Sequence, residues 1–211
     1  MRTLILALLL WLPLTALAEP APRQAVGLWT SQAGETQDAF IGRVAAAVYP
    51  VTAHTGFEVC GVLQVATDGQ GFALPMFTDG SHIACREAAV VLPGYTATAM
   101  TLHTHPREAS FRPNAQDIAL LPAYGANPQL RYPVDGDGFS ARDLAAGPGC
   151  VVASGAHPFG SPHLLCQAGA GTVRELGTLG SYPATALAAD PGMDVALLTA
   201  QAVQGDAPPG H

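Results

Sequence analysis

Lysine is absent from all 211 residues; the nine basic residues are arginines. That excludes Schiff-base chemistry, a catalytic amine and the lysine of a phosphate-binding P-loop. Charge of either sign is scarce, at 12% of residues against about 25% in an ordinary globular domain. The formal net charge of −7 offers no basic face to a phosphate backbone, so no nucleic-acid partner is expected. No Cys-x-x-Cys pair occurs, which argues against a zinc ribbon. Nor is there a Gly-x-Ser-x-Gly nucleophile elbow or a Rossmann glycine pattern. Apolar residues are plentiful instead. At 49% they suffice for a core, and the length favours one domain.

The first 18 residues read as a signal peptide. Met1-Arg2 is a short positive start, Leu4 to Leu14 an apolar run, and Ala16-Leu17-Ala18 a small-x-small cleavage site ahead of Glu19. No second apolar run of about 20 residues follows, so no membrane span is expected after cleavage. The mature chain is expected to be periplasmic or secreted. Export changes the meaning of its four cysteines: in an oxidising compartment an even count favours disulfides. Cys150 and Cys166 sit in two strand-like runs that a hairpin would bring together, and Cys60 and Cys85 in two others. The pairing 60–85 and 150–166 is therefore preferred among three.

Residues 19–37 are rich in Pro, Ala and Gly and predict an irregular lead-in, with Trp29 as its packing residue. From Asp38 to Val48 the apolar residues Phe40, Val44 and Val48 fall four apart, as on one face of a helix that Pro50 should stop. Glu58 to Val65 and Gly71 to Thr78 read as strands around the Asp68-Gly69 turn. Ala97 to Thr104 reads as another, ended by Pro106. Residues 107–138 hold one helical patch, Gln116 to Ala123. A short helix at Ser140 to Ala146 is followed by strands at 150–154, 163–167 and 172–176. The order predicts an α+β fold.

The sharpest chemical signal is Leu102-His103-Thr104-His105-Pro106. In a strand, residues i and i+2 share a face. Two imidazoles so placed can grip one metal ion, and neutral imidazole is a preferred zinc ligand. Downstream, Phe139-Ser140-Ala141-Arg142-Asp143-Leu144 puts a Ser at a helix N-cap and an Asp one turn on. Upstream, Glu58 heads an otherwise apolar strand, where an unpaired charge is costly unless it has a task. The histidines His54, His82, His157 and His163 lack ligand spacing and read as surface or structural residues.

Together these three elements, in this order, resemble the JAMM (JAB/MPN) zinc metalloprotease family over roughly residues 38–178. The resemblance implies a cytidine-deaminase-like β-sheet meander with flanking helices. It implies zinc held by His103, His105 and an Asp, with Glu58 as general acid and base on the zinc water. Ser140 would help to stabilise the oxyanion. The chain departs from the family in one place: 33 residues separate Pro106 from Ser140, where the family has a short gap. At the family's own spacing stands Asn114-Ala-Gln-Asp117, with Asn in place of Ser. Asp117 by spacing and Asp143 by residue identity therefore compete as third ligand. Asp143 is preferred, which makes 107–138 an insertion at the site's rim and 179–211 a C-terminal tail. The implied function is an exported zinc peptidase or isopeptidase acting on a peptide or protein, with cell-wall peptide as one candidate. The alternative is a catalytically inactive JAMM-like binding or assembly module.

Overall fold

In the computed structural model of the chain, residues 21–182 are described, apart from 88, 123–124, 135, 155–159 and 170. The signal segment, His157 and the tail beyond residue 182 lie outside the described residues. The fold begins earlier than the composition suggests. Gln24–Thr30 forms a strand, β1, where an irregular lead-in is expected. Its Gly27, Leu28 and Trp29 are all buried, and Trp29 packs into the main core. Burying an edge against an existing sheet outweighed the Pro/Ala/Gly bias of its flanks.

Helix α1 spans Gln37–Thr55, with Thr36 capping its N-terminus through its side chain. It runs through Pro50 instead of stopping there. Proline removes one backbone hydrogen bond, but Val48, Tyr49 and Thr52 on either side are buried. Full burial is worth about 1.5–3 kcal/mol for each large apolar side chain. The helix ends at Gly56, whose φ of 75° lets its N–H reach the Thr52 carbonyl at 2.8 Å.

Six further strands complete one sheet: β2 Cys60–Ala66, β3 Phe72–Thr78, β4 Tyr95–Thr104, β7 Gly149–Ala153, β8 His163–Gln167 and β9 Val173–Thr178. The seven strands lie in the order β1-β3-β2-β4-β7-β8-β9. All neighbours are antiparallel except β4 and β7. The order corrects the expected meander. β4 pairs with β2 and not with β3, because β1 already occupies the free edge of β3. The 79–94 connection therefore passes from β3 to the far side of β2. Gln64, buried in β2, clips that connection by donating to the Val90 carbonyl and accepting from Leu92 N–H. Gly61 is obligatory in the same strand: a Cβ there would stand 2.3 Å from the Pro75 carbonyl oxygen.

Between β4 and β7 lie the two-residue strands β5 (Ser110–Phe111) and β6 (Tyr132–Pro133), which pair with each other, and helix α2 (Ala115–Leu120). Helix α3 (Ala141–Ala146) follows, and a 3-10 turn at Leu179–Ser181 closes the described chain. The result is a mixed α/β fold with a largely sheet core. Two disulfides join Cys60 to Cys85 and Cys150 to Cys166, the expected pairing. The second couples directly opposed residues of β7 and β8 and lies in the core under α1.

Candidate metal centre

Strand alternation sorts the residues at the end of β4. Leu102 faces the core, and Thr104 hydrogen-bonds Thr52 of α1. His103 takes the opposite face, joined by His105, which continues the ladder by donating its N–H to Val152 O at 3.0 Å. On β2, Cys60 lies directly across from His103. Cross-strand partners share a face, so the Cys60–Cys85 bridge and Glu58, two residues before it, belong to the histidine side. The sheet alone thus gathers Glu58, His103 and His105.

Asp143 comes from α3. The Ser140 hydroxyl accepts from Asp143 N–H at 3.2 Å, while the Asp143 carboxylate accepts from Ser140 N–H at 2.7 Å, a reciprocal capping box. The box engages Oδ2 and holds the carboxylate beside the imidazoles. Asp143 Oδ1 lies 3.5 Å from His103 Nε2, and Oδ2 lies 3.6 Å from His105 Nε2. The two Nε2 atoms are 3.1 Å apart. Tetrahedral zinc, with bonds of about 2.0–2.1 Å, holds its ligand atoms about 3.3–3.4 Å from one another. With one oxygen taken from Asp143, the three ligand atoms lie within 4.8 Å of one another, close enough to share one ion. His103, His105 and Asp143 form a group that can hold a metal ion.

The competing ligand is committed elsewhere. Asp117, 1% exposed, accepts from Ser81 Oγ at 2.6 Å, His82 N–H at 2.8 Å, Asn114 N–H at 2.8 Å and the His82 ring at 2.9 Å. It caps α2 and ties that helix to the 79–82 loop. His82, read from sequence as structural, lies against the rings of Phe57 and Phe111.

The charges around the imidazoles favour a cation at their centre. Burial alone would lower His103, but the carboxylates of Asp143 and Glu87 override it and hold the ring up to about 10. Burial, with His103 beside it, drives His105 down to about 4. Asp143 resists its own burial because His103 and Ser140 hold it well below the usual carboxylate range. Glu58 is 8% exposed, and burial pushes its carboxyl up to about 8, with Asp143 and Glu87 acting in the same direction.

These groups line a cleft of about 850 Å³. Ser140 and Arg142 stand on its α3 side, and Leu121, Val134 and Phe139 supply apolar wall. Sequence reasoning missed one residue here. Glu87 Oε1 lies 3.4 Å from His103 Nδ1. Its one signal was indirect: pairing Cys85 with Cys60, which lies opposite His103, brings the 85–87 segment to the histidine side.

Neither a protein-family model, nor a curated protein, nor a solved structure matches this chain. The reading of the site rests on its own residues.

Proposed function

We propose that the chain is an exported, zinc-dependent amide hydrolase of JAMM type, cleaving peptide or isopeptide bonds. The observation that carries this is the convergence of His103, His105 and Asp143, whose ligand atoms lie within 4.8 Å of one another, in a cleft also lined by the buried Glu58. His103, His105 and Asp143 would hold the ion with three protein ligands, the number found in catalytic zinc sites. A bound zinc ion supplies Lewis acidity, lowering the pKa of coordinated water toward about 7. With the ion in place, Glu58 as a carboxylate would accept a proton from the attacking water and, as the carboxylic acid so formed, would donate it to the departing amine. A carboxyl whose pKa lies near neutrality suits both transfers. Ser140 stands beside Asp143, where its hydroxyl can donate to the developing oxyanion. The apolar wall suits a bulky apolar substrate side chain. Two disulfides, and no helix among the described residues long and apolar enough to cross a membrane, are compatible with a periplasmic or secreted protein.

The test uses the oxidised, zinc-loaded chain against a library of peptide and isopeptide substrates that includes cell-wall stem peptides. Glu58→Gln should lower hydrolysis about 10²- to 10⁴-fold while leaving zinc content unchanged, as expected for loss of general acid–base catalysis. A variant as active as its parent would contradict the mechanism. A zinc-loaded parent that cleaves nothing in the library would instead point to the binding or assembly module.

A further inference from the structure

A metal-binding imidazole has two nitrogens, and the one that does not face the metal needs an acceptor. That acceptor fixes the tautomer, orients the ring and raises its basicity. In His103 the nitrogen turned toward His105 and Asp143 is Nε2. Nδ1 points the other way and is buried, so a proton there has no water to meet. Glu87 Oε1, at 3.4 Å, is the acceptor in reach. The contact is a few tenths of an ångström longer than an optimal hydrogen bond, and Nδ1 has no other hydrogen-bond partner among the described residues. Asp143, His103 and Glu87 thus stand in a carboxylate–imidazole–carboxylate row.

Glu87 does not come to this place by chain proximity. It lies in the 79–94 connection, and the residues just before it are pinned twice. Cys85 is bonded to Cys60, the cross-strand partner of His103. Arg86 donates its N–H to Asp79 Oδ2 at 2.6 Å and its Nε–H to Asp79 Oδ1 at 2.8 Å. Asp79 is itself buried just past the end of β3. The bridge and the ion pair close a loop whose next residue meets the imidazole. Its backbone is fixed while its side chain, 29% exposed, keeps one face to the cleft. A surface carboxylate placed by chance would not need two anchors on its immediate neighbours.

We infer that Glu87 is the positioning residue of His103, held at the metal centre by the Cys60–Cys85 disulfide, so that tight metal binding depends on the oxidised bridge. The inference rests on the metal-site reading above. Acceptors of this kind are typically worth 10- to 100-fold in metal affinity. Glu87→Ala leaves His103 Nδ1 without an acceptor and the ring free to turn. Glu87→Gln keeps an oxygen that can accept from Nδ1–H but removes the negative charge. Replacing both Cys60 and Cys85 by Ser removes the anchor that joins the loop to the strand facing His103 and leaves only the Arg86–Asp79 pair, which loosens Glu87 from His103 by another route.

The experiment measures zinc affinity by chelator competition on the full chain, and records the visible spectrum of the Co(II)-substituted protein. Glu87→Ala should bind zinc about 10- to 100-fold more weakly and shift the Co(II) bands, with the melting temperature of the chelator-treated protein unchanged. Glu87→Gln should recover most of the affinity. The double Cys variant should show a comparable loss, and adding Glu87→Ala to it should cost little more, because both act through one contact. A Glu87→Ala chain that binds zinc within about threefold of the parent would overturn the inference while leaving the site reading in place. Fully multiplicative losses would show that the bridge does not act through Glu87. A folded, oxidised parent that takes up no zinc would overturn the site reading and this inference together.

Discussion

Asp117 and Asp143 have the same local surroundings: each is the third residue of a short helix, and each is locked in a capping box. What separates them is what else the carboxylate meets. Asp117 is bonded to Ser81 and His82, whereas Asp143 lies beside two imidazoles. Burial alone would raise the pKa of Asp117, but its bonds from His82, Ser81 and Asn114 outweigh that and lower it. A carboxylate lowered in the fold adds stability that is fully present above its unfolded pKa, near 3.9, and is lost as pH falls through the lower folded value. Asp117→Asn should therefore cost about 2–3 kcal/mol at pH 7, in line with hydrogen bonds to a buried charge. The difference from the parent should shrink below pH 4, as urea denaturation at several pH values would record. Zinc stoichiometry should be unchanged. A variant that keeps its stability but loses its metal would restore Asp117 as ligand. The His-x-His pair and the Ser-x-x-Asp cap were readable because their spacing is local. Glu87 was not, because its approach to His103 exists only through a disulfide and a strand register.

Helix α3 carries Asp143 yet buries none of its residues. The packing that stabilises most helices cannot be what holds it. A single amide grips it: Gln167 of β8, 1% exposed, donates through Nε2 to the carbonyls of both Asp143 and Gly147. Those are carbonyls at the helix C-terminus that would otherwise lack partners. Gln167→Leu keeps the volume and removes both bonds. It should cost about 2 kcal/mol by chemical denaturation and weaken zinc binding roughly 10-fold through the loosened ligand. Unchanged zinc affinity would mean that the capping box alone positions Asp143. Among the elements, β2, β3, β4, β7, β8 and β9 were legible from their apolar runs and turn residues. Strand β1 was not, because three successive buried residues hide the period of two that marks a half-buried strand. The far end of α1 was hidden by Pro50, whose local cost is overridden by tertiary burial on both sides of it. The crossing of the 79–94 connection depends on which edge β1 occupies, a long-range choice that no local pattern encodes.

At the scale of the whole molecule, the sheet divides two tasks between its faces. One face packs α1 and the Cys150–Cys166 bridge into the apolar core. The other bears the Cys60–Cys85 bridge, the imidazoles and the cleft, walled by residues of the 107–138 segment. The Ser154 backbone N–H donates to Gly136 O at 2.8 Å, tying that segment back to the end of β7. The long spacing between His105 and Asp143 in sequence is thus compatible with their contact in space, since the intervening residues build a wall and return the chain to the site. Two anchored faces with a polar site at the exit of the central strands make one claim central: the three residues act as a single ligand set. Equilibrium zinc titration of the oxidised full-length chain, beside His105→Ala and Asp143→Ala, tests it most directly. One saturable zinc per parent chain is expected, with no stoichiometric binding in either variant. A folded, disulfide-bonded parent without saturable zinc, or variants that bind as the parent does, would contradict it.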